Sequence, residues 1–112
     1  MGTQESRPRL KWARSQRFRL TIKGEEAHGE WKNRVGSVQG QGKSVFETAL
    51  GEWSKHFGIA PDDAPYVSEL AQTSLRVEDI EKAFADMGTS RQGIKDSLSR
   101  LYDAGLVEPV PS

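Results

Sequence analysis

The sequence has no cysteine, which excludes a disulfide framework and a thiolate metal site. Long apolar runs are also missing: none approaches the ~20 residues of a spanning helix. The opening MGTQESRPRL has no hydrophobic signal region, so a soluble cytoplasmic protein is expected, or a nucleoid or nuclear one if it binds DNA. Histidine is scarce. His28 and His56 each lack a second histidine or a carboxylate at metal-ligand spacing, so neither is read as a ligand. No nucleophile, paired carboxylate or metal cluster assembles at a defensible spacing, and neither an enzyme nor a cofactor is expected. Net charge is absent as well, yet its distribution is uneven. The 112 residues hold sixteen basic and sixteen acidic side chains; up to Ser44, ten Lys and Arg face four Glu, a surplus of six that the remainder reverses.

A chain of this length can bury a core of its own without staples. Residues 1–9 are polar and without periodicity, and are expected to form a disordered tail. Residues 10–43 read as a basic strand or hairpin segment with a glycine-rich linker, and residues 44–112 as a helical domain. In the first segment Leu10, Trp12, Phe18, Leu20 and Ile22 fall on even positions, with Arg17, Arg19, Thr21 and Lys23 alternating with the last three. That alternation predicts a strand over Arg17 to Lys23 with one apolar and one basic face. Lys23 to Glu26 can turn the chain, after which Trp31, Val35 and Val38 supply a weaker returning strand.

Gly36 to Ser44, GSVQGQGKS, has the look of a phosphate-cradling loop because it ends in Gly42-Lys43-Ser44 before a helix. The spacing fails: the first glycine belongs at position 37, which is Ser37. A flexible linker is the better reading. Ser44 with Glu47 then forms a capping box for a helix whose apolar face is Val45, Phe46, Ala49, Leu50, Trp53 and Phe57, closed by Gly58. After a turn over Ile59 to Pro65, where Asp62 or Asp63 can cap, Tyr66, Val67, Leu70 and Ala71 mark a short helix. Leu75 to Val77 suits a small strand, and Glu78, Asp79 and Glu81 favour the N-terminus of the helix that follows.

That next stretch, Ile80 to Val107, carries the most order. Ile80, Ala83, Phe84 and Met87 share one side of a helix, Gly88 ends it, and Thr89 or Ser90 starts another with Ile94, Leu98 and Leu101 inside. Gly105 stops this second helix before a strand beginning at Leu106-Val107. In Gly88, Ser90, Ile94 and the phrase LSRLYDAGLVEP the C-terminal half resembles the winged helix-turn-helix superfamily. It departs from the common pattern at Phe84, Thr89 and Ser97, where small, aliphatic and apolar residues are usual.

The resemblance implies an α+β, mostly helical fold: a winged-helix-like helix-turn-helix preceded by the basic strand region and an amphipathic helix. It also implies that a helix over residues 90–104 enters the major groove of double-stranded DNA. Ser90, Arg91, Gln92, Lys95, Ser99 and Arg100 would then face DNA, Arg91 and Gln92 toward base edges and the others toward phosphates. Arg14, Arg17 and Arg19 from the basic strand would add phosphate contacts, beside Arg7, Arg9, Lys11 and Lys23. A full wing needs a returning strand after Leu106 to Glu108, where the sequence has Pro109-Val110-Pro111-Ser112; either the wing is absent or it lies beyond Ser112. Two functions follow: a DNA-binding regulator, a dimer by analogy, or an interaction module of winged-helix type within a larger assembly.

Overall fold

Among the described residues eight regular elements follow one another: β1 (Arg17–Leu20), α1 (Ile22–Arg34), α2 (Lys43–Phe57), α3 (Ala64–Gln72), β2 (Leu75–Arg76), α4 (Val77–Ala83), α5 (Arg91–Asp103) and β3 (Val107–Val110). Single 3-10 turns at Gly36–Gln41, Pro61–Asp63 and Ala85–Met87 link some of them. The structure, a computed structural model, describes residues 13–110. The expected tail, with Leu10, Trp12, Arg7, Arg9 and Lys11, lies outside the described residues. The fold is α+β and mostly helical, with one small antiparallel sheet in the order β2-β1-β3.

β1 forms where the alternation begins, since Phe18 and Leu20 are buried while Arg19 is exposed. It ends earlier than expected. Ile22 is 80% exposed, because the chain has already turned into α1. Thr21 makes that turn: its Oγ1 accepts from the Gly24 amide at 3.1 Å and donates to the Gly105 carbonyl at 2.6 Å. The Lys23–Glu26 turn and the returning strand are therefore corrected: α1 runs on through Trp31 to Arg34, Val35 caps it and Val38 lies in the 3-10 stretch beyond, with Ala27 and Val35 buried. Gly24 is not a bend. It lets α1 pass against the backbone after α5, since a Cβ there would overlap the Leu106 carbonyl oxygen.

The partners of β1 come instead from far along the chain. Phe18 pairs with Leu75 on one side and Pro109 on the other, and Leu20 pairs with Val107. Opposite charges meet across the second pair, where Arg19 Nε lies 2.7 Å from Glu108 Oε2.

The glycine-rich stretch is a 3-10 helix over Gly36–Gln41, preceded by α1, so the flexible-linker reading is corrected. α2 then starts at Lys43 behind Gly42, which has φ 107° and gives no side-chain cap. With Gly42 and not Ser44 at the N-cap, the helix starts two residues earlier than expected, Ser44 lies inside it, and the Ser44–Glu47 box does not form. Trp53 and Phe57 are buried, Phe46, Ala49 and Leu50 partly so, and Val45 is exposed. Trp53 Nε1 donates to the Ala27 carbonyl at 2.8 Å and pins α2 to α1.

Around the C-terminal helices the expectations hold more closely. Gly58 closes α2 in the left-handed region at φ 73°, and Tyr66, Val67 and Leu70 face inward from α3, although Ala71 is exposed. α4 stops at Ala83, and the 3-10 turn after it leaves Met87 63% exposed instead of buried. Gly88 is left-handed at φ 69°, and Ser90 Oγ accepts from the Gly93 amide at 3.0 Å to open α5. Ile94, Leu98 and Leu101 are all buried beneath it. Each such side chain stabilises by roughly 1.5–3 kcal/mol, against at most ~1 for an exposed ion pair, so apolar burial holds α5 in place.

Candidate functional site

α4, the Gly88 corner and α5 present the residues expected to meet a partner, and the segment before β1 lies across the start of α4. Two backbone contacts fix that segment: the Val77 amide donates to the Gln16 carbonyl at 2.9 Å, and the Glu78 amide to the Arg14 carbonyl at 3.0 Å. Both amides belong to the first turn of α4, where no intrahelical acceptor exists. Arg76 and Asp79 complete the cap, the Asp79 carboxylate accepting from the Arg76 amide at 3.0 Å and its guanidinium at 3.2 Å. The guanidinium and amide of Arg76 hold the Asp79 carboxyl below its ordinary range, while Asp79 raises Arg76 in turn.

One pair of the expected site residues is brought together. Arg14 Nη2 stands 3.0 Å from Glu81 Oε1, and Arg91 Nε stands 3.4 Å from Glu81 Oε2. Glu81 is nearly buried between them, its side chain 16% exposed, while both arginines project outward. Beside Arg91, Gln92 is exposed and its Nε2 donates to Asp96 Oδ1 at 2.9 Å. Ser90 spends its hydroxyl on the cap, and Lys95 and Ser99 are half-buried.

The other expected residues lie apart. Arg17 Nη1 donates to the Ser74 carbonyl at 3.0 Å and hydroxyl at 3.2 Å, beside β2, and Arg19 is on the β3 side with Glu108. Arg100 turns toward the start of α3, where it donates to Asp63 Oδ2 at 2.9 Å and Oδ1 at 2.8 Å. The hydrogen bonds to Asp63 hold the Arg100 guanidinium charged against the cost of burial. Glu81 and Asp63 were not singled out as site residues from sequence, nor could they be: no local pattern announces a carboxylate whose partner is a distant arginine.

Behind the corner, a cleft of about 560 Å³ runs between α2, α3 and α5, lined among others by Trp31, Phe46, Leu50, Tyr66, Phe84 and Thr89. Burial pushes the Tyr66 hydroxyl up, opposed by the neighbouring hydroxyls of Ser97 and Thr89. The two positions that depart from the winged-helix pattern toward polarity, Ser97 and Thr89, thus serve a buried tyrosine. His28 stacks on Trp31 at 6.5 Å and is lowered by burial and by Lys32, and His56 meets the Phe57 edge at 4.8 Å. Among the described residues no group of histidines and carboxylates could hold a metal ion, and no helix is long and apolar enough to cross a membrane. Compared with family models, curated proteins and solved structures, the chain matches none.

Proposed function

We propose that the chain is a DNA-binding regulatory protein of the winged helix-turn-helix kind, with α5 as the helix that enters the major groove. The observation that carries this reading is the division of α5. Ile94, Leu98 and Leu101 are buried on one side, and Arg91 and Gln92 stand exposed at the N-terminal end, directly after the tight Gly88 corner. That end is the one from which helix-turn-helix proteins reach base edges. The sheet adds support: β2 precedes α4, β3 follows α5, and β1 lies between them where a wing hairpin's returning strand would run. In this reading Gln92 contacts bases; Arg91, which the sequence alone directs to base edges, joins Arg14 at a phosphate because Glu81 holds the two together; Lys95 and Ser99 contact further phosphates, and Arg17 and Arg19 lie on the middle strand of the sheet. The protein acts in the cytoplasm or nucleoid, as a dimer by analogy with other two-fold DNA readers.

The test is a titration against random duplex, single strand and RNA at low and high salt, beside a mass determination. Duplex affinity should fall steeply with salt, and Arg91→Ala with Lys95→Ala should weaken it, the lysine change flattening the salt slope by about one. Unchanged binding by the double variant would remove α5 from the interface.

A second reading is favoured by one observation: Arg14, Arg19, Arg76, Arg91 and Arg100 each meet a carboxylate of their own chain. Part of the positive charge expected to meet phosphate is then already matched within the chain, which suits a winged-helix-like module that docks on protein in a larger assembly. Reversing Arg14, Arg17 and Arg19 to glutamate should in that case abolish association while duplex affinity is already negligible.

A further inference from the structure

We infer that Glu81 is a built-in competitor for a DNA backbone phosphate, holding Arg14 and Arg91 on a single carboxylate until a phosphate takes its place. The inference rests on the DNA-binding reading of α5.

Three observations support it. Glu81 divides its two oxygens between arginines from different parts of the chain, Oε1 with Arg14 at 3.0 Å and Oε2 with Arg91 at 3.4 Å. The arginines are 57% and 70% exposed in their side chains while Glu81 is 16% exposed, so both cations are open to an incoming anion from the solvent side. Finally, the Arg14 carbonyl is held by the start of α4, and its guanidinium reaches Glu81 beside Arg91 at the N-terminal end of α5. Two guanidinium groups converging on one divalent-spaced oxygen pair is the arrangement that recognises phosphate as well as carboxylate. The carboxylate keeps both side chains in place and simultaneously cancels part of their charge.

The consequence is a lowered affinity for every duplex, whatever its sequence, because phosphate contacts position without specifying. Base contacts by Gln92 would then decide more of the total, and the protein would discriminate better than an unrestrained basic helix.

The experiment compares wild type, Glu81→Gln, Arg14→Gln and the double variant Glu81→Gln/Arg14→Gln in duplex titrations over a range of salt. Glu81→Gln should bind random duplex roughly fivefold tighter, the size an exposed pair of charge contacts allows, with a salt slope steeper by up to about two released counterions. The double variant should lose about half of that extra slope. A folded Glu81→Gln protein with equal or weaker binding would overturn the inference, as would a salt slope that does not change. Should Glu81→Gln fail to fold by circular dichroism, Glu81→Asp, whose shorter reach cannot span both arginines, replaces it with the same expected direction. If wild type and all variants ignore duplex at low salt, the DNA reading itself falls, an outcome separate from wild-type binding that Glu81→Gln leaves unaltered.

Discussion

Arg100 grips Asp63 at both carboxylate oxygens, and Asp63 has no solvent exposure at all. The same carboxylate accepts the Ala60 amide at 3.0 Å, so one side chain closes the turn before α3 and ties it to α5. Removing Arg100 strands a buried charge. Breaking a fully buried pair costs about 3–5 kcal/mol; here the arginine end is 43% exposed, and Arg100→Ala is expected to cost about 2–3 kcal/mol in urea unfolding. Arg100→Lys should recover only a fraction of it, since an ammonium cannot serve both oxygens in a plane. A loss below ~0.5 kcal/mol would mean that the pair is no more than a surface contact.

Gly24→Ala sets two effects against each other. In a solvent-facing helix it would gain up to about 1 kcal/mol from backbone propensity. Here the new methyl meets the Leu106 carbonyl oxygen, which is backbone and cannot swing aside. Overpacking of this kind costs about 3 kcal/mol or more, so the variant should melt well below wild type. A rise in melting temperature would show that α1 does not sit against that carbonyl.

At Gly88 the obstacle is conformation, not space, because φ is 69° and nothing lies within 4 Å of a Cβ there. Gly88→Ala should destabilise by roughly 1–2 kcal/mol. Asparagine tolerates the left-handed region better, and Gly88→Asn should lose less than half as much. Equal losses in urea midpoints would locate the defect elsewhere.

Two groups make stability depend on pH in separate windows. His28 has a folded pKa below its ordinary 6.5, so the unfolded chain binds its proton first. Its contribution is complete above about that value and is lost as pH falls through the folded pKa. His28→Gln should flatten the urea midpoint between pH 7.5 and 5.5, where wild type declines. Asp79 is held below its ordinary 3.8, so its contribution persists to lower pH and disappears only as the carboxylate takes up a proton. Asp79→Asn should abolish that acid-side loss while leaving the His28 window intact.

The contrast between α5 and α1 explains what could be read in advance. In α5 the apolar side chains recur at helical spacing, Ser90 and Gly88 mark the ends, and both signals are local. α1 buries Gly24 and Ala27 within its span, so its inner face is made of the smallest residues and shows no stripe. A helix that packs through glycine looks like a turn to any reading based on hydrophobic period. Its one legible mark was the N-cap, Thr21 before the acidic first-turn Glu25. Within the site, the exposed pair Arg91 and Gln92 was foreseeable from the phase of α5. The Arg14–Glu81–Arg91 bridge and the Arg100–Asp63 clasp were not, because each joins residues that only the completed fold brings together.

β1 is the middle strand, yet it is made first among the three and its neighbours much later. On the ribosome, the β2-facing rim of Arg17–Leu20 would stay bare while the first three helices emerge and the β3-facing rim while all five do, and Phe18 would lack its Pro109 partner until Val107–Val110 has been polymerised. Such a nascent chain is open to pairing with another chain's strand during that interval, so its yield in cells should follow translation speed and chaperone supply more than the stability of the finished molecule.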